Sequence, residues 1–197
     1  MAFILRATLA AILVLASGGI ALARPELGEL FSGPELYRRL ARQNAMEYRI
    51  PYAIVDAVMR VESNYDPHAL GEAGEVGLMQ VMPSTAAILG YTGSLEGLTD
   101  PATNIQYGTR YLADAWRLAD GDICTAVMKY RAGHGETHFS EKSVSYCVRV
   151  RENLRIAGYP VAGKIPKPTF GFGKAKAGSG KITKLPSGRL RMSFPGL

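Results

Sequence analysis

Three observations predict a mainly α-helical domain. Apolar residues recur at three- and four-residue intervals between Pro34 and Ala157. Proline or a short polar residue opens several of these segments, and glycine follows the last residues of others. No convincing stretch alternates with the two-residue period of a half-buried strand. The first helix runs from Pro34 to about Glu47, with Leu36, Tyr37 and Leu40 on one face and Arg38, Arg39 and Arg42 mostly opposite. Pro51 reads as the first-turn proline of a second helix through Ser63. Its apolar positions Ile54, Val55, Val58, Met59 and Val61 cover more than one face, which makes it the central helix. Residues 64–82 hold three glycines and follow neither period, so they read as an ordered loop. A short helix spans Pro83 to Leu89 and ends at Gly90. Asp100 caps a helix with Pro101 in its first turn that runs to about Ala119, with Ile105, Gly108, Tyr111, Leu112, Ala115 and Trp116 facing inward. Asp122 caps another to about Ala132, and Ser140 a last one to Ala157, with Gly158 and Pro160 beyond its end.

The two ends of the chain differ from this middle. Residues 1–23 read as a signal peptide: Arg6 gives a basic start, Ala7 to Ala16 is apolar but for Thr8, and Ala21-Leu22-Ala23 is a small-x-small cleavage site. A retained N-terminal anchor is the other reading. Export to the periplasm follows from the first, with residues 24–159 as the folded domain and no stable membrane span after cleavage. From Pro160 to Leu197 there are five prolines, seven glycines and eight basic residues with no acid, so this segment reads as a flexible basic tail. Val161, Ile165, Phe170 and Phe172 are candidates to fasten its first part. Residues 24–159 carry fourteen Lys plus Arg against seventeen Asp plus Glu, so the basic pI belongs to the tail. A basic tail on an exported protein suits an anionic wall polymer or a protein partner, and makes nucleic acid the least fitting of its partners. Gly178-Ser179-Gly180-Lys181 fails the phosphate-loop pattern because residue 182 is Ile.

Cys124 and Cys147 are the only two cysteines, and in an oxidising compartment a disulfide is the favoured reading, two separate buried thiols the other. With His134 and His138 they supply the residue types of a zinc site, but no spacing among them matches a zinc module, and no metal is expected. Gly133 to Ser140 reads as a groove-wall loop.

Glu62 is the residue with chemistry. It stands in the last turn of the central helix, where the negative end of the dipole and burial both disfavour its ionised form, as a proton donor near neutral pH requires. The only nearby second carboxylate is Asp66, which before Pro67 reads as a turn former.

Glu62-Ser63, Gly74, Gly77, Leu78-Met79-Gln80, Met82-Pro83 and Thr85-Ala86 resemble the motif of the soluble lytic transglycosylase family, relatives of the goose-type lysozymes. Asp100, Asn104-Ile105, Gly108, Tyr111-Leu112 and Tyr130 with Ala132-Gly133 continue it, so that the resemblance covers about residues 45–157. It implies a lysozyme-like helical domain that acts, as a monomer and without a cofactor, on peptidoglycan glycan strands. The implied reaction cleaves the β-1,4 bond between N-acetylmuramic acid and N-acetylglucosamine. Glu62 protonates the glycosidic oxygen, then acts as base while the sugar's own 6-hydroxyl attacks C1, leaving a 1,6-anhydro product. One acid without an evident partner fits this better than a two-carboxylate hydrolase. The resemblance further implies that Gln80 and Met82 line the groove, that Tyr130 lies within hydrogen-bonding reach of Glu62, and that Tyr146 is a later groove aromatic. Ser63 and Tyr111 join them as substrate-binding candidates.

Three positions depart from the pattern. Gly71 stands where Ser is frequent, Glu75 where Ala is usual and Arg131 where Asn is usual. Arg131 becomes a candidate for the peptide-stem carboxylates. The alternatives to a transglycosylase are a hydrolytic lysozyme of the same fold, and a non-catalytic wall-binding or scaffold protein of a secretion or flagellar assembly.

Overall fold

The computed structural model describes residues 33–169, together with 181–184 and 190–193 for their backbone. The expected signal peptide, the Gly178–Lys181 loop except its last residue, Phe170 and Phe172 lie outside the described residues.

Among the described residues, seven helices form the domain. α1 is Pro34–Tyr48, whose buried residues Tyr37, Ala41 and Ala45 repeat every four positions. α2 is Tyr52–Ser63, with Ile54, Val55, Val58 and Met59 buried, which places it at the centre of the core. Pro51 occupies the N-cap position and not the first helical turn as expected; its extended backbone (φ −58°, ψ 124°) lies just outside the helix. α3 is Pro83–Ile88. α4, Leu95–Thr99, has no counterpart among the expected helices; five residues are too few to show a period, and its signal is the Ser94 cap, whose Oγ accepts the Gly97 N–H at 3.0 Å.

The remaining helices start at the caps expected for them. α5 is Pro101–Leu118, where Asp100 Oδ1 accepts the Thr103 N–H at 2.9 Å. α6 is Ile123–Ala132, where Asp122 Oδ1 accepts the Thr125 N–H at 2.8 Å. α7 is Glu141–Ile156, where Ser140 Oγ accepts the Ser143 N–H at 3.1 Å. Such caps are worth about 1 kcal/mol each. α1 packs on α5 and α2, α5 on α6, α6 on α7, and α7 returns to α2. Cys124 of α6 and Cys147 of α7 are disulfide-bonded, which ties the last two helices together. No described helix is long and apolar enough to cross a membrane.

The first described residues after Pro160 are in part fastened to the domain. Arg151 donates from Nη1 to Ala162 O (2.8 Å) and from Nη2 to Gly163 O (2.9 Å), and Val161 packs against the core. Ile165, the other described candidate fastener, stays exposed. Thr169 pairs with Phe139, its N–H donating to Phe139 O at 2.8 Å. Further on, β1 (Lys181–Lys184) and β2 (Leu190–Ser193) form an antiparallel pair with Ile182 opposite Met192. The expectation of no strand is corrected here: each strand is four residues long, too short for its alternation to be told from chance.

Candidate active site

The site is built where the end of α2 meets the loop from Asn64 to Met82. Asn64 terminates α2 in the left-handed conformation (φ 51°), and the chain turns back at once. Asp66 Oδ1 accepts the His68 N–H at 2.8 Å, the turn-forming role expected of it. Short backbone bridges then pair Val76 with Leu70 and with Val81, so the loop is a compact, internally bonded unit.

Asn104, fully buried on α5, is what fixes this unit to the core. Its Oδ1 accepts the Met79 N–H at 2.8 Å, and its Nδ2 donates to Val76 O (2.9 Å) and Leu98 O (3.0 Å). Gly77 makes room for that amide: it has φ 75°, and a Cβ there would lie 2.6 Å from Asn104 Nδ2. Gln80, also in the left-handed region (φ 46°), donates from Nε2 to Ala69 O and Gly77 O, both at 3.0 Å. Ser63 Oγ donates to Leu78 O at 2.8 Å, binding the loop to the helix end.

Between this loop and helices α5, α6 and α7 lies a cavity of about 790 Å³. Glu62, Gln80, Met82, Tyr111, Tyr130 and Tyr146 all line it, whereas Ser63 does not. Gly71, Glu75 and Arg131, the three positions that depart from the resembled motif, line it too.

Glu62 is partly buried at the edge of this cavity. Tyr146 Oη donates to Glu62 Oε1 at 2.5 Å, so the phenol within reach of the acid comes from α7. Tyr130, expected in that place, instead donates its hydroxyl to Met79 O at 2.6 Å. The two phenols thus divide the work, one holding the carboxyl and the other holding the loop. Burial pushes the Glu62 carboxyl up to about 7 from its ordinary 4.5. The Tyr146 hydrogen bond and the Arg149 charge pull it back, Glu75 pushes it up, and Arg131 pulls it down. Tyr146 and Tyr130 are themselves raised, first by burial and then by the neighbouring Glu62 charge.

α6 and the start of the loop after it contribute Tyr130, Arg131 and Gly133 to the lining. Tyr111 stacks on His134, with ring centres 3.9 Å apart and planes 12° from parallel, and lies 5.6 Å from the Tyr130 ring. Lys129 Nζ donates to His134 O (2.9 Å) and Glu136 O (2.8 Å), which folds Gly133 to Ser140 against the helix end. Among the described residues no three of His, Cys, Asp and Glu converge as metal ligands. Sequence reasoning had not singled out Arg149, whose guanidinium lies 5.6 Å from the Tyr146 ring centre and which lines the cavity. The signal was available, since Arg149 follows Tyr146 by three positions on a capped helix and so shares its face.

With this geometry in view, the comparisons with known proteins are specific. Residues 39–146 match the model of the transglycosylase SLT domain, more than half of the chain. The protein therefore belongs to the transglycosylase SLT family, and its helices form the family's lysozyme-like domain. It is 30% identical over 126 residues to a transglycosylase of Enterobacteria phage PRD1, covering 64% of this chain and 45% of that protein. It is 40% identical over 83 residues to the membrane-bound lytic murein transglycosylase C of Haemophilus influenzae, covering 39% of this chain and 23% of the relative. Less than half the length of either relative is thus represented. An inactive mutant of lytic transglycosylase Slt from Pseudomonas aeruginosa superposes with a TM-score of 0.53 at 21% identity, over 64% of this chain and 25% of that one, a likeness of fold.

Proposed function

We propose that this protein is a lytic transglycosylase of peptidoglycan, cleaving the β-1,4 bond between N-acetylmuramic acid and N-acetylglucosamine with Glu62 as acid and then base. The observation that carries the reading is the partly buried Glu62 at the cavity edge, its pKa raised to about 7 and its Oε1 held by Tyr146. A carboxyl in that state still holds its proton near neutral pH and is already oriented. The Glu62 proton passes to the glycosidic oxygen as the C1–O bond breaks. The 6-hydroxyl oxygen of the same sugar then bonds to C1, and its proton returns to Glu62. No water is consumed, and the acid is restored for the next bond. Gln80, Met82, Tyr111 and Tyr130 are the proposed walls of the glycan groove, with Tyr146 both a wall and the holder of the acid. Ser63 acts through the loop it anchors. The supporting relatives are named for murein transglycosylase activity, and no cofactor enters the scheme.

On this reading the protein works in the periplasm as a monomer after removal of residues 1–23. The eight basic residues from Pro160 onward would bind an anionic wall polymer or a protein partner.

Mass spectrometry of the soluble products of purified peptidoglycan tests the proposal. Muropeptides lighter by one water are expected, with a fall of about 10²–10⁴-fold or more in Glu62→Gln. Products with ordinary reducing ends would assign hydrolysis instead. Release that is undiminished in Glu62→Gln would remove Glu62 from the chemistry.

A further inference from the structure

Glu75 and Gly71 are both departures from the resembled motif, and the structure joins them. Gly71 is not in the left-handed region, so its backbone accepts any residue. A Cβ on Gly71 would meet the ends of two side chains, overlapping Glu75 Oε2 and lying 2.8 Å from Gln80 Oε1, so a residue there would displace both. The carboxylate is held by a tight turn. Gly71 N–H donates to Glu75 O at 2.8 Å, Gly74 N–H to Gly71 O at 3.2 Å, and Ala73 N–H to Glu75 Oε2 at 3.0 Å. Oε1 makes no hydrogen bond among the described residues, and Glu75 lines the same cavity as Glu62. The same cavity is lined by Arg131 of α6 and Arg149 of α7. The lining therefore holds both charged acceptors and charged donors of hydrogen bonds.

We propose that Glu75 is a substrate-contacting, specificity-determining residue, its carboxylate accepting a hydrogen bond from a hydroxyl or N–H of the sugar bound beside Glu62, in space that Gly71 leaves open. The inference rests on the saccharide reading of the groove given above. Saccharides present many donors along their edges, and a charged acceptor binds such a donor more strongly than a neutral one. Because Gly71 yields the room, the two positions act as a unit: a side chain at 71 would displace the Glu75 carboxylate from this place and crowd the Gln80 amide oxygen as well. The groups that act on Glu62 are then the neutral Tyr146 and the charged Arg149 on α7, the neutral Tyr130 and the charged Arg131 on α6, and the charged Glu75 on the loop. Glu75 is the one like-charged neighbour among them.

The test is made first without turnover, on the full chain carrying Glu62→Gln, by calorimetric titration with chitotetraose. Adding Glu75→Gln should weaken binding several-fold and Glu75→Ala about tenfold, the loss of one charge-assisted hydrogen bond. Gly71→Ser, which displaces the Glu75 carboxylate, should weaken binding by itself, and Glu75→Ala should add little further loss in the Gly71→Ser, Glu75→Ala pair. Equal melting temperatures of Glu75→Gln and its parent separate lost contact from lost fold. In the otherwise intact protein, Glu75→Gln should raise KM more than it lowers kcat, and move the alkaline limb of the pH profile downward, since a like charge has left Glu62. Affinity unchanged by Glu75→Gln and Glu75→Ala overturns this inference alone. Failure of the parent to bind the tetrasaccharide at millimolar concentration overturns the saccharide reading and this inference with it. Reducing-end products that disappear in Glu75→Gln would make Glu75 a base for water, and overturn its assignment as a binding group.

Discussion

The loop from Asn64 to Met82 and the loop from Gly133 to Ser140 both border the groove, and they are secured by opposite means. The first is pinned from inside: Asn104 and Tyr130, both buried, and Ser63 at the helix end hold the backbone of Val76, Leu78 and Met79. The second is pinned from its rim by Lys129, the His134–Tyr111 stack and the Thr169–Phe139 pair, all at least partly exposed. Buried hydrogen bonds are costly to break because the abandoned partners find no water, whereas groups at a rim are resolvated. The wall that carries Gln80, Met82 and Glu75 should therefore be rigid, and the wall after Gly133 adjustable.

That contrast is tested most severely at Asn104. Asn104→Leu strands the Met79 N–H and two carbonyls in the core, and should cost about 3–5 kcal/mol in chemical denaturation, with activity lost along with the loop. A loss below about 1 kcal/mol would show that the first wall is not internally secured.

Next in size is the pH dependence of stability. The folded state holds the Glu62 proton up to about pH 7, and the unfolded chain only to its ordinary 4.5, so the stabilisation from Glu62 is complete below pH 4.5 and is lost as pH rises through 7. Above pH 7 the intact protein bears a burial penalty on the order of 3 kcal/mol that Glu62→Gln does not. The Gln variant should thus gain stability relative to the parent between pH 5 and 8, read from denaturation midpoints. Parallel profiles would contradict the raised pKa.

Tyr146→Phe removes the hydrogen bond that lowers the Glu62 pKa, so the alkaline limb of the activity profile should move to higher pH. A fall in kcat of roughly 3–10-fold is expected from the less constrained acid. The same substitution at Tyr130 should instead show itself as lost stability, since that hydroxyl holds Met79 O. The smallest effect falls on the adjustable wall: Lys129→Met should cost about 1 kcal/mol or less and raise KM about two- to threefold. A Lys129 effect as large as that of Asn104 would erase the difference between the walls.

The unequal legibility of the site follows the same division. Glu62, the Asp100 and Asp122 caps and the glycine-led loop were readable because each depends on neighbours in sequence. Which phenol meets the acid was not readable. Tyr130 and Tyr146 both sit on helices whose starts were plain, but the choice between them depends on how α6 and α7 rotate against α2, which no spacing within one helix reports. Ser63 shows the limit at shorter range: one position beyond Glu62, it is turned by about 100° round the helix, toward Leu78 and away from the cavity. The pairing of Gly71 with Glu75 was visible only as two separate departures, because it is a collision in space.

Asn104 also sets what could be transplanted. It lies twenty-five residues from Met79 and twenty-eight from Val76, yet it holds both. A chimera carrying only the contiguous string from Glu62 to Ala86 would inherit the residues of the groove without the amide that shapes their backbone. The smallest portable unit is discontinuous, the string together with the start of α5 and the helices bearing Tyr130 and Tyr146, so recombination that spares the motif but cuts between it and Asn104 would break the site.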